Sequence, residues 1–206
     1  MTNGPDTPLF PGDTDLRETP LSDELVFHGA LIDVRHMQVR LPNGSRALRE
    51  VVRHMGAAAV VPVDEDGGVT LVRQHRVVVD RVTLEIPAGK LDHVGEDPLA
   101  CAHRELAEET GLHAERMELL CPMITTPGFC TEQVSIYLAT GLSRHAAHPD
   151  EDEFLRAVRM PLAEAVARVR SGELCDGKTA LGLMLAWAKL YGLAPQAGTP
   201  ATPSSN

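Results

Sequence analysis

The chain has 206 residues, 43% of them hydrophobic but only 3% aromatic, and a formal net charge of −10; that length suits one domain with tails and a sizeable core. The acidity excludes a broad contact with nucleic-acid phosphates, and no run of 18 apolar residues offers a membrane span. Four cysteines, Cys101, Cys121, Cys130 and Cys175, show neither CxxC nor zinc spacing; they read as reduced, mostly buried thiols, and with no charged-then-apolar leader at the N-terminus the expected compartment is the cytoplasm.

Residues 1–20, rich in Pro, Gly, Thr and Asp, read as a flexible tail. Residues 21–54 read as a small antiparallel sheet. Leu25 and Phe27, then Leu31, Asp33, Arg35, Met37 and Val39, follow a strand alternation, and Arg46 to Arg53 pairs back after a turn at Pro42-Asn43-Gly44. Its apolar residues are too few for a sheet standing alone, so a partner is expected to cover it. Residues 55–194 form the main domain. Gly56 to Val63 is a continuous apolar run typical of a central strand, and Asp64 to Gly68 turns the chain into Val69 to Gln74. Leu84-Glu85-Ile86 is a further strand, leading into a loop at Pro87-Ala88-Gly89. Strands over Met117 to Met123, Glu132 to Thr140 and Phe154 to Met160 follow, then a helix opened by Pro161 and a last helix over Lys178 to Tyr191, stopped by Gly192. Residues 195–206 are low-complexity and read as disordered. Mixed strands with helices on both faces predict an α/β fold, an α/β/α sandwich with a mixed sheet.

The chemistry gathers between Gly89 and Leu112. Asp97 as N-cap, Pro98 at the first helical position and Gly111 at the end predict a helix over 98–110. Glu105, Glu108 and Glu109 then fall within an arc of roughly 100°, while Leu99, Ala102 and Leu106 share an apolar face. Carboxylates so close repel one another. A hard divalent cation, Mg²⁺ or Mn²⁺, removes that penalty, with the Ala88 carbonyl as a further ligand and Arg104 orienting one carboxylate. Without a cation, the same pattern would be only a solvated acidic face.

The stretch resembles the Nudix box, whose pattern is G, five residues, E, seven residues, then REUxEExGU with U aliphatic. Glu96, Arg104, Glu105, Leu106, Glu108, Glu109, Gly111 and Leu112 match, while six residues instead of five separate Gly89 from Glu96. Three further features resemble the ADP-ribose and ADP-sugar pyrophosphatases of that superfamily: Leu84 to Leu91 (LEIPAGKL), Pro127 placed fifteen residues past Leu112, and the acidic run Asp150-Glu151-Asp152-Glu153. The segment Gly29 to Val34 with Leu41 to Gly44 fits that group's additional N-terminal sheet.

The resemblance implies a metal-dependent hydrolase that cleaves the pyrophosphate of ADP-ribose to AMP and ribose 5-phosphate. It implies Ala88, Glu105, Glu108 and Glu109 as metal ligands, and Glu151, with Glu153 beside it, as the base that activates water. Arg104 and Glu108 join the catalytic set. Arg49 and Arg76 match arginines that contact phosphates and ribose; Gly89 and Pro127 belong to the substrate site. The group's adenine-stacking aromatic falls near Ala30, and Phe27 is the nearest aromatic. A homodimer, joined through residues 21–54, completes the expectation, with residues 55–194 as the Nudix domain. The alternatives are another nucleoside diphosphate sugar, such as ADP-glucose or GDP-mannose, or a non-catalytic nucleotide-sensing domain. The last predicts a broken glutamate core and an attached winged helix, and the chain carries neither. His75 and His103, outside any metal-binding spacing, are expected to be structural.

Overall fold

The computed structural model describes residues 13–93, 95–145 and 154–192. The chain divides into two compact units: Met1–Met55 with Thr126–Glu132, and Gly56–Thr125 with Gln133–Asn206.

The first unit holds β1 (Thr19–His28), β2 (Asp33–Arg40) and β3 (Arg46–Arg53), an antiparallel sheet in that order. The β2–β3 turn uses Gly44 at φ 85°, with the Asn43 side chain accepting from both the backbone and the hydroxyl of Ser45; this is the local bonding that favours Asn in turns. Order begins earlier than the composition suggested. Asp13–Leu16 forms a 3-10 turn and β1 starts at Thr19, inside the stretch read as a flexible tail. Every residue of β1 is exposed, whereas Val39 on β2 is buried. Thr126–Glu132 joins this unit by backbone pairing: Val52 donates to Phe129 at 2.7 Å and Thr131 to Val52 at 2.9 Å. The sequence places that loop with the main domain, because hydrogen bonds between residues 77 and 79 positions apart leave no local trace.

The second unit is built on β4 (Ala57–Pro62), β5 (Gly68–Arg76), β6 (Arg81–Glu85), β7 (Ala88–Lys90), β8 (Leu112–Ile124), β9 (Gln133–Arg144) and β10 (Leu155–Pro161), with helices α1 (Pro98–Thr110), α2 (Leu162–Arg170) and α3 (Gly177–Tyr191). One sheet has the order β7-β4-β9-β8 and is mixed, since β4 and β9 run parallel; the other, β10-β5-β6, is antiparallel. The unbroken apolar run of β4 is explained by burial on both faces. Ala59 and Val61 pack with Leu162, Ala165, Leu183 and Ala186 of α2 and α3, while Ala58 and Val60 pack with Cys101, Ala102 and Leu106 of α1. The expected α/β/α layering is therefore what the sequence forms. Gly182 lets α3 pack tightly on β4, since a Cβ there would lie 3.0 Å from Val61.

Several local expectations change. Pro87-Ala88-Gly89 is not a loop; Ala88 and Gly89 pair with Ala59 and Ala58 as the short strand β7. The strands β8 and β9 run 13 and 12 residues, beyond their apolar cores, because each supplies the other's hydrogen bonds. On α1, Leu99 is 36% exposed, while Glu105 and Glu109 are buried. Only Cys101 among the four thiols is buried; Cys175 is exposed. No helix among the described residues is long and apolar enough to cross a membrane.

Candidate active site

Helix α1 starts and stops as its sequence requires. The Asp97 carboxylate accepts the Leu99 N–H at 3.0 Å, and Gly111 closes the helix at φ 67°, its N–H donating to Ala107 at 2.9 Å; both are standard ways to satisfy end groups. The apolar side of the helix seats it on β4. That seating forces Glu105 and Glu109 toward β7, where they are 6% and 4% exposed.

Buried carboxylates need partners, and β7 and Arg104 supply them. The backbone N–H of Ala88 donates to Glu109 Oε2 at 3.0 Å. Gly89 faces Glu105 so closely that a Cβ there would lie 2.0 Å from Oε1. Arg104 donates through Nη1 to Glu105 Oε1 at 2.6 Å and to Glu108 Oε2 at 3.4 Å, and through Nη2 to Glu96 Oε1 at 3.4 Å and the Lys90 carbonyl at 3.3 Å. Asp92 adds a fourth carboxylate 3.4 Å from Nη2. Burial alone would lower the Arg104 pKa, but the surrounding negative groups, Glu105 foremost, raise it above its ordinary value. The additional residue before Glu96 is absorbed in a turn with Gly95 at φ 87°, closed by the Asp92 N–H on Glu96 Oε2 at 2.6 Å. Glu96 thus still meets Arg104. Burial also pushes the Cys101 thiol, which sits beneath Gly89 and Lys90, up to about 12, with Glu105 and Glu96 adding to the shift and Arg104 opposing it.

Among the described residues, no three His, Cys, Asp or Glu side chains form a ready-made metal cage; instead Asp92, Glu96, Glu105 and Glu108 meet at the Arg104 guanidinium. The donor set nevertheless suits a hard divalent ion: Glu105, Glu108, Glu109 and the Ala88 carbonyl are all oxygen ligands, and Gly89 leaves the Glu105 carboxylate unobstructed from the backbone side. A cation among them would compete with Arg104 for the Glu105 and Glu108 oxygens.

The remaining expected site residues fall elsewhere. Arg76, at the end of β5, is bound on one edge by Glu85, with Nε to Oε1 at 2.9 Å and Nη2 to Oε2 at 2.8 Å. Those bonds raise its pKa against the cost of burial, and the charge of Glu109 contributes, linking Arg76 electrostatically to α1. Arg49, Phe27 and Pro127 belong to the other unit. Arg49 is paired with Glu18, Phe27 stands 55% exposed on β1, and Pro127 lies in a turn closed by Cys130 N–H on Thr126 at 2.9 Å. Glu151 and Glu153 lie outside the described residues.

Sequence reasoning missed Glu85 and Lys178. Glu85 is 2% exposed, and Lys178 donates to it from the first turn of α3. Both left a signal: a glutamate inside an apolar strand, and a lysine at a helix N-terminus, where the macrodipole disfavours it.

A NUDIX domain model matches residues 53–176, more than half the chain. The chain is 41% identical over 170 residues to the ADP-ribose pyrophosphatase of Bacillus subtilis (strain 168), covering 82% of this chain and 91% of that protein. It is 40% identical over 168 residues to the methanol dehydrogenase activator of Bacillus methanolicus, covering 81% and 90%, and 34% identical over 149 residues to the GDP-mannose pyrophosphatase of Cronobacter sakazakii (strain ATCC BAA-894), covering 64% and 77%. A crystal structure of an ADP compounds hydrolase superimposes with a TM-score of 0.74 at 28% identity, covering 86% of this chain and 97% of that one. Nudix hydrolases generally work with divalent metal ions. Likeness of this extent, together with the glutamates that α1 holds against β7, establishes that the chain belongs to the Nudix family and is a Nudix hydrolase.

Proposed function

We propose that the chain hydrolyses the pyrophosphate bond of ADP-ribose, giving AMP and ribose 5-phosphate, with Mg²⁺ as the working ion and Mn²⁺ as a substitute. The observation that carries this is the seat of Glu105 and Glu109 against Ala88 and Gly89, read together with the ADP-ribose pyrophosphatase relative that shares this chain over most of its length. Ala88, Glu105, Glu108 and Glu109 would hold the cation, which supplies neutralisation of the non-bridging phosphate oxygens and polarisation of water. Arg104 holds the Glu105 carboxylate in place through the 2.6 Å bond. Arg76 holds a phosphate through the guanidinium edge that Glu85 leaves unused, and Gly89 lines the same unit's substrate site; Arg49, Pro127 and Phe27 are the substrate residues proposed for the N-terminal unit. Glu151 takes the proton from the attacking water; a carboxylate beside cations stays ionised and able to accept it.

Turnover of ADP-ribose, ADP-glucose and GDP-mannose with Mg²⁺ in ¹⁸O-labelled water tests the proposal. A clear preference for ADP-ribose, with AMP and ribose 5-phosphate as products, is expected. A flat profile, or one led by GDP-mannose, overturns the substrate and favours the second reading, which the GDP-mannose pyrophosphatase relative supports.

The active form in this proposal is a cytoplasmic homodimer joined through the N-terminal sheet. Its support is the exposure of Leu25, Val26 and Phe27 on β1 and Leu48 on β3, each between 46% and 55%, since exposed apolar strands of a three-stranded sheet invite a cover. Sedimentation is expected to show a dimer, and removal of residues 1–45 a poorly active monomer or aggregate. A fully active monomer would end the dimer proposal.

A further inference from the structure

Behind Arg76 lies a charged cluster that the chemistry above leaves unused. The buried Glu85 carboxylate accepts from Arg76 Nε and Nη2, from Thr83 Oγ1 at 2.5 Å, and from Lys178 Nζ. Lys178 also donates to Asp176 Oδ2 at 3.0 Å, and that same oxygen caps α3 by accepting the Thr179 N–H at 3.0 Å and its hydroxyl at 2.6 Å. Thr179 in turn accepts the Ile86 N–H at 2.9 Å, tying the head of α3 to the strand that leads into Ala88 and Gly89.

Stability alone gives this cluster little reason to exist. A lysine in the first turn of a helix opposes the macrodipole, and apolar packing of equal volume stabilises at least as well as a buried ion pair. Geometry gives it one. Two parallel bonds to Glu85 fix the plane of the Arg76 guanidinium, and both use one edge of it. The side chain of Arg76 is 41% exposed and borders a cavity of about 540 Å³ that Val77, Arg81 and Lys178 also line, together with the already paired carboxylates of Glu85 and Asp176. Nη1 makes no hydrogen bond among the described residues. A guanidinium held by its inner edge beside an open cavity is preorganised for an oxyanion, whereas a free arginine must first be ordered.

We propose that Glu85 and Lys178 are a positioning pair: Glu85 grips the inner edge of Arg76, Lys178 fixes Glu85 from α3, and the outer edge is thereby presented to a phosphate of the nucleoside diphosphate sugar. This rests on the proposed reading of Arg76 as a phosphate contact. Both residues of the pair also line that cavity, but the role assigned to them is to act through Arg76.

The test combines a double-mutant cycle with a direct view of Arg76. Lys178→Met and Thr83→Val are each expected to lower kcat/KM by about tenfold or less, mainly through KM, and to add almost nothing in an Arg76→Ala background. Lys178→Arg should retain most activity. Thr83→Val guards against loss of folding in the charged variants, and melting temperatures are followed in all. In parallel, the Arg76 Nε–H resonance, assigned by its loss in Arg76→Lys, should be sharp in the wild-type chain and shift on adding inorganic pyrophosphate. In Lys178→Met it should be broadened, with a weaker shift. Effects that multiply across the cycle, or an arginine resonance unchanged in Lys178→Met, overturn the proposal. If the wild-type chain turns over none of the three sugars, the functional reading is lost, and the resonance and its pyrophosphate response decide the positioning by themselves.

Discussion

A single methyl group added at Gly89 gives the most direct test of how β7 and α1 make the site. Gly89 does not adopt a left-handed backbone, so alanine carries no conformational penalty there; what it lacks is space. The added Cβ would lie 2.0 Å from Glu105 Oε1, 2.1 Å from Cδ and 2.4 Å from Oε2. Ordinary contact requires about 3.5 Å, so the carboxylate must retreat by about 1.5 Å. β7 cannot yield instead, because Gly89 is paired to Ala58, itself fully buried. The Glu105 side chain is 8% exposed, and the retreat breaks its bond to Arg104. Losing that charge-assisted bond costs about 1.5–3 kcal/mol and an off-rotamer side chain about 1 kcal/mol more. The melting temperature should then fall by roughly 5–15 °C. Function should suffer more, since a displacement above 1 Å at a reacting centre lowers the rate by about 100-fold. Thermal melts by circular dichroism, ADP-ribose turnover and calorimetric Mg²⁺ titration measure the three effects. Turnover of Gly89→Ala within about threefold of wild type would refute the claim that this approach positions Glu105 for catalysis.

Glu108→Gln and Glu109→Gln should each lower kcat by at least about 100-fold while the fold survives, because each removes a charged ligand and keeps an oxygen acceptor, in Glu109 the one that meets the Ala88 N–H; near-wild-type rates in both would remove the metal assignment. In the acidic loop, Glu151→Gln should depress kcat more than Glu153→Gln with metal binding retained, and the reverse order in steady-state rates would move the base to Glu153. Burial would raise the Glu85 carboxyl, but Arg76, Lys178 and Thr83 more than offset it and bring it to about 2 from 4.5. A depressed carboxyl stabilises the fold above its unfolded pKa, so on the order of 3 kcal/mol should be lost as pH falls from about 5 toward 2. Glu85→Gln should flatten that acid limb in pH-dependent denaturation, and an unchanged limb would contradict the pairing. Iodoacetamide at pH 8 should label Cys175 well before Cys101, whose thiol is buried and pushed up to about 12; mass spectrometry showing equal labelling would contradict that burial.

Local chemistry determined what could be read without a fold. Asp97, Pro98 and Gly111 bound α1 because capping is settled within a few residues, and the unbroken apolar run of β4 announced a strand buried on both faces. The glutamates of α1 and the arginine before them were legible for the same reason, as spacing along one helix. What depended on distant pairing was not. Whether Pro87-Ala88-Gly89 was a loop or a strand turned on β4, whose Ala58 and Ala59 complete its hydrogen bonds. Thr126–Glu132 was drawn to the N-terminal unit by Val52. Glu85 acquired its partners from β5 and from α3, Lys178 lying 93 positions away. Sequence carries each residue's propensity and charge. Only the tertiary structure decides which charges are taken out of water together, and burial is what turns Glu85, Glu105 and Glu109 from surface acids into fixed, partnered groups.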